Sequence, residues 1–299
     1  MKKILILMCM IITAAAVFAS DFARDFQSAM ELYNGGKFAE AEAAFVKLSE
    51  QISTPKGADE SLAHAAYSAE QQNKSDKAIE FAGKIKDKSL NAYCRMKLME
   101  KQRKWDEILV LTKDEDFEKW PDALIYSASF CRGSAYVETR NAENAKKDFF
   151  IAAKNTVDQV NKAYVYQALG NMYFSISKDT QKALDAYGKV VKLMTEAKKP
   201  SLARGLLQGA LTSRARIFAS QENGAEAVSD IEKLSRFEVK EPYVLCEIQL
   251  WNGQIYEIIG KNTDALESYR KASAIEKVPV DMVKEANQRI TDLEKKIRK

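Results

Sequence analysis

Three observations predict an all-α chain built from stacked helical hairpins. Only five of the 299 residues are proline, and long stretches of Ala, Leu, Lys, Glu and Tyr carry apolar residues three or four apart, the period of helices with one buried face. No segment keeps for long the strict alternation of a half-buried strand. A set of small and aromatic positions also recurs about every 37 residues through most of the chain, which marks a repeat architecture.

In chain order the N-terminus comes first. Met1-Lys2-Lys3 precede a run from Ile4 to Val17 broken only by Thr13, and Val17 and Ala19 lie just before Ser20 and Asp21. A basic start, an apolar stretch too short to span a bilayer comfortably, and small residues ahead of a polar one define a signal peptide over residues 1–19. The mature chain is expected to begin at Ser20 and to be periplasmic or secreted. A retained anchor is the competing reading, but no stop-transfer pattern follows. Cys9 follows bulky Met8 inside the apolar run, which argues against lipidation. No later segment is apolar for long enough to span a membrane.

The repeat follows. Its clearest copy is Gly253, Tyr256, Gly260, Ala265, Tyr269 and Ala272, and the same intervals recur in Gly133, Tyr136, Ala145, Phe149 and Ala152. A third copy, Leu169, Gly170, Tyr173, Ala183, Tyr187 and Val190, carries one extra residue in the turn around Ser177 to Thr180. Weaker copies run through Ala215, Phe218, Ala227 and Ile231, and through Ala29, Leu32, Gly36, Ala41 and Phe45. Degenerate ones pass through Ala66, Ala69 and Ala78, and through Met96, Met99, Trp105 and Ile108. With Ala41, Ala78, Ile108, Ala145, Ala183, Ala227 and Ala265 as markers, the steps are 37, 30, 37, 38, 44 and 38. The small residue of each first helix is expected to let its partner helix come close, the aromatic three positions later to fill the gap beside it, and the alanine of the second helix to receive both.

This pattern resembles that of the tetratricopeptide-repeat (TPR) family, from about residue 22 to 278. The match is strong in the fourth, fifth and seventh units and weak in the second and third, where the aromatic is missing. The resemblance implies a right-handed solenoid of about seven TPR-like hairpins over residues 20–279. After Pro279, Val283, Ala286, Ile290, Leu293 and Ile297 form one apolar stripe on a highly charged segment. Residues 280–299 therefore read as a helix capping the stack, with a short coiled-coil dimer as the alternative.

Few sequence features point to chemistry. Lys and Arg number 46 against 42 Asp and Glu, a formal net charge of +4 that falls by two without Lys2 and Lys3. Acids and bases are interspersed, so no basic footprint for nucleic acid is present. The single histidine, His64, lies in the alanine-rich stretch Leu62 to Ala66 and reads as structural; multi-histidine metal sites are ruled out. Neither a phosphate-cradling glycine loop nor a nucleophile elbow is present. Asp114, Glu115, Asp116 and Glu118, flanked by Lys113 and Lys119, read as a solvated acidic turn rather than an acid–base pair or calcium loop. Cys94, Cys131 and Cys246 read as small buried hydrophobes, and their odd number leaves at least one unpaired. No catalytic activity, cofactor or metal is expected.

What remains is a surface. The resemblance implies that a partner protein or peptide lies along the wall formed by the first helix of each unit. On this chain that wall carries Phe26, Met30 and Tyr33, then Tyr67, then Tyr93 and Lys97, then Phe130, and then Tyr164, Asn171 and Phe174. Aromatics are the usual anchors of interfaces, although the same rings can also be consumed by packing between units. Asn171 matches one position of the carboxylate clamp found in the chaperone-binding members of the family, but Gln167 stands where a lysine is needed, so no clamp is inferred. The expected function is an exported scaffold that binds a partner peptide or helix, with a role in envelope assembly by analogy. A self-associating structural or adhesive surface protein is the alternative.

Overall fold

The structure is a computed structural model that describes residues 18–52, 54–196, 200–235 and 241–298. The predicted signal peptide lies almost wholly outside these residues. Among the described residues there are fifteen α-helices and no strand.

The chain divides into two compact units, residues 1–155 and 156–299. The first contains four hairpins, α1 (Phe18–Asn34) with α2 (Phe38–Gln51), α3 (Pro55–Gln71) with α4 (Ser75–Gly83), α5 (Lys88–Lys101) with α6 (Trp105–Leu111), and α7 (Asp122–Glu138) with α8 (Ala142–Lys154). The second contains α9 (Gln159–Met172) with α10 (Thr180–Thr195), α11 (Pro200–Ser220) with α12 (Gly224–Ser235), α13 (Pro242–Ile258) with α14 (Asn262–Ser273), and a last helix, α15 (Val280–Ile297). The unit boundary falls between two hairpins, as the repeat register requires.

All seven hairpins place a left-handed residue at the same point of the turn. The residues after the first helices, Gly36, Asn73, Arg103, Arg140, Lys178, Glu222 and Gly260, have φ between 55° and 79°. Each is followed by one residue and then by the second helix. These left-handed residues sit five positions before the seven sequence markers, so the backbone repeats with the register read from the side chains. In six of the turns the N–H after the left-handed residue donates to the carbonyl five residues back, as Asn141 does to Tyr136 at 2.7 Å and Lys261 to Tyr256 at 2.8 Å. That bond closes a helix C-terminus in the Schellman manner.

The fifth hairpin differs by one residue. Asp179 N–H reaches back six residues to Tyr173 at 2.9 Å, and Tyr173–Ser177 forms a π-helical turn. The extra residue read in the sequence near Ser177 is thus absorbed as a π-bulge, a device frequent at functional sites. The uneven steps also have local causes. The step of 30 spans the short helices α4, with nine residues, and α5, with 14, whereas the step of 44 spans α11, with 21.

Packing follows the predicted close approach with one correction. Gly133, Gly170 and Gly253 each lie beneath a ring, but the ring comes from the second helix, Phe149, Tyr187 and Tyr269 respectively. The aromatic three positions after the glycine does not fill this gap. Tyr256 instead packs against the cluster that contains Ala215, Ala227 and Ile231 of the preceding hairpin, as well as that of its own. In α15, Ala286 and Leu293 are buried in the cluster that includes Tyr269 and Ala272, and Arg270 bonds Glu294 at 2.8 Å.

Candidate protein-binding surface

In the first unit the wall residues are drawn into the core. Met30 and Tyr33 are buried, and Phe26 is half-buried with its ring 5.3 Å from that of Phe45 and 5.2 Å from that of His64. His64 is itself buried, stacked on Phe45 at 5.0 Å. Burial lowers its pKa to about 4. Tyr67 is half-buried with its hydroxyl enclosed beside Cys94, and burial raises its pKa well above the ordinary value. Tyr93 is buried, and the same cause raises its pKa.

Lys97 is half-buried and pairs with Glu100. Burial acts to lower the lysine pKa, but the Glu100 carboxylate outweighs it and holds the ammonium above its usual value. Phe130 is half-buried between the rings of Tyr126 and Phe149, at 6.1 Å and 5.6 Å. The first-unit part of the predicted wall therefore serves mainly as packing. Phe26, Tyr33, Tyr67 and Tyr93 join the hydrophobic core of the first unit, in which hairpin stacks on hairpin.

The second unit presents a different picture. Tyr164, Gln167, Asn171 and Phe174 follow one another at spacings of three, four and three, which puts them on one face of α9 and its π turn. Tyr164 is 39% and Phe174 49% exposed, and Asn171 is exposed between them. Asn171 Oδ1 accepts from the Tyr187 hydroxyl at 2.8 Å and from Gln167 Nε2 at 3.3 Å. Gln167 Oε1 is buried without a protein partner, and Gly209 on α11 lies beside Gln167 Nε2. The stripe is thus two exposed rings flanking a fixed amide pair.

Cysteine and acidic residues take the structural roles expected of them. Cys94, Cys131 and Cys246 are buried free thiols, and burial pushes Cys94 up to about 12. The acidic turn is exposed, with Asp116 accepting from the Glu118 N–H at 3.2 Å and Glu118 paired with Lys154 at 2.8 Å. Sequence reading missed what lies under this turn. Phe117 is buried beneath the Arg132 guanidinium, 4.0 Å from the ring centre. Arg132 also donates to both Asp148 oxygens, at 2.7 Å and 2.9 Å, and to the carbonyls of Thr112 and Glu115. The signal was present in sequence as Arg132-Gly133 facing Asp148-Phe149, adjacent to the repeat positions.

Among the described residues no group of His, Cys, Asp or Glu could hold a metal ion, and no helix is long and apolar enough to cross a membrane. The hairpin register defines a class, the all-α repeat proteins. Within that class the chain has the tetratricopeptide-repeat fold. It is similar to a tetratricopeptide repeat protein from Parabacteroides merdae, with a TM-score of 0.51 at 15% identity, covering 90% of this chain and 98% of the other. It is also similar to the C-terminal part of a TPR repeat-containing protein from Cytophaga hutchinsonii, with a TM-score of 0.56 at 19% identity and coverage of 87% and 98%. No family model matches the sequence, and no curated protein does.

Proposed function

We propose that the chain is an exported protein-binding scaffold that holds a peptide or helix of a partner protein against the first-helix wall of its second unit. The observation that carries this reading is the exposed Tyr164–Phe174 stripe on α9. Large rigid rings left in solvent on a repeat fold are anchor material, because they bury much area at little entropic cost. Asn171 and Gln167 supply polar contacts between the anchors. Export rests on the basic and apolar residues at the N-terminus, and a role in envelope assembly follows from that location by analogy alone.

The test is affinity purification of partners from an envelope extract with the mature chain, followed by titration of the captured partner. Tyr164→Ala and Phe174→Ala should each weaken binding by about 2 kcal/mol with an unchanged melting temperature, while Tyr243→Ala, another exposed ring, should not. Equal affinity for all three variants overturns the assignment. Polydisperse behaviour of the purified chain that Phe174→Ala abolishes would favour self-association.

A further inference from the structure

In two hairpins the residue before the small position of the first helix is arginine, and the residue before the large position of the second is aspartate. Arg132 and Asp148 form one such pair. Arg214 and Asp230, 3.2 Å apart, form the other. Both aspartates are almost fully buried. In the seventh hairpin the same two positions hold Asn252 and Ser268, which are too short to fill that room. Both line a cavity of about 350 Å³, within the range of ligand clefts.

The buried residues Ile231, Leu234, Asn252 and Ser268 are among those that line the cavity. Ile231 and Leu234 occupy the register positions of Thr112 and Glu115, whose carbonyls receive Arg132 in the fourth hairpin. Asn252 is 3% exposed, and its Oδ1 has no protein hydrogen-bond partner. An enclosed acceptor left unmatched costs free energy that a ligand donor can recover. At the rim stand the exposed carboxylates Asp264 and Glu267, with Lys271 2.6 Å from Glu267. Among the described residues Asp264 forms no ion pair. Glu232 adds a further negative charge near Tyr256, which also lines the site.

We propose that this cavity binds the side chain of an arginine from a partner protein, placing a guanidinium where Arg132 and Arg214 place their own in other hairpins. The apolar walls hold the methylenes, Asn252 and Ser268 accept from the guanidinium, and Asp264 and Glu267 balance its charge. The site belongs to α12, α13 and α14 and does not rest on the α9 stripe.

The experiment titrates the mature chain with the peptide acetyl-Gly-Arg-Gly-amide, followed by nuclear magnetic resonance. Citrulline and norleucine peptides serve as neutral comparisons. The arginine peptide should bind saturably with shifts at Asn252 and Ser268, and the citrulline peptide about tenfold more weakly, as loss of charge-assisted hydrogen bonds dictates. Asp264→Asn combined with Glu267→Gln, both at exposed positions, should also weaken binding about tenfold, while Asp185→Asn on α10 should not. Asn252→Arg with Ser268→Asp, which restores the internal pair, should abolish binding without lowering the melting temperature. Equal affinity for arginine and citrulline, no saturation at millimolar peptide, or retention of binding in the rim variant overturns the proposal.

Discussion

A Cβ added to Gly253 would lie 2.4 Å from Cε1 of Tyr269, a separation that no real side chain tolerates. The ring is fully buried and its hydroxyl donates to Glu257 at 3.0 Å, so it has little room to retreat. Gly170 under Tyr187 and Gly133 under Phe149 repeat the arrangement at 2.5 Å and 2.8 Å. Gly253→Ala should therefore destabilise the second unit by about 1–3 kcal/mol, and Gly253→Leu by more. Gly188 on α10 meets nothing within 4 Å, and Gly188→Ala should stabilise by about 0.5–1 kcal/mol. Denaturant midpoints of the variants check both signs.

Buried charge makes a second prediction. Removing one partner of the Arg132–Asp148 pair strands the other in the core, and such losses cost about 3–5 kcal/mol. Arg132→Ala should approach this range, because it also uncovers Phe117 and the two carbonyls that Arg132 bonds. Glu118→Ala, which breaks the exposed pair with Lys154, should cost at most about 1 kcal/mol. Thermal melts of the two variants distinguish the cases.

His64 makes stability depend on pH. Its folded pKa, about 4, lies below the unfolded value of about 6.5, so between these values the unfolded chain binds more protons. Stability is then complete above about pH 6.5 and falls as the pH drops towards 4, by up to about 3 kcal/mol. His64→Leu should flatten this part of the profile. Urea midpoints at pH 7 and pH 4.5 for parent and variant give the answer, and an identical drop in both would remove His64 as its cause.

Five of the seven hairpin turns place a side chain in the left-handed region where glycine is most at ease. Arg103 and Arg140, with φ of 57° and 60°, bear a steric cost of about 1–2 kcal/mol. Arg103→Gly and Arg140→Gly should each raise stability, by about 0.5–1 kcal/mol after the entropy of the glycine is counted. Gly260→Ala, at φ 76°, should lower it. Chemical denaturation of the three variants tests the set.

The repeat register, the helical class and the inserted residue of the fifth hairpin were all legible in the sequence. Small and large residues must recur where helices cross closely, and a local period survives in one dimension. The glycine positions were found the same way, but the second-helix ring that packs on each was not. Tyr256 and Tyr269 are both aromatic, and only the packed hairpin decides which covers Gly253. The same holds for the wall. Tyr33 and Phe174 occupy comparable positions near the end of a first helix and look alike in sequence, yet Tyr33 is 6% and Phe174 49% exposed. Exposure depends on which neighbouring hairpin closes over a ring. Arg132 and Asp148 adjoin repeat positions that the sequence does show, but their pairing, like the cavity at Asn252, is decided only when two helices are laid side by side. Sequence alone determined which residues repeat and how the chain is divided into helices; tertiary structure decided which of those residues face solvent, because burial belongs to the packing of neighbours and not to the residue itself.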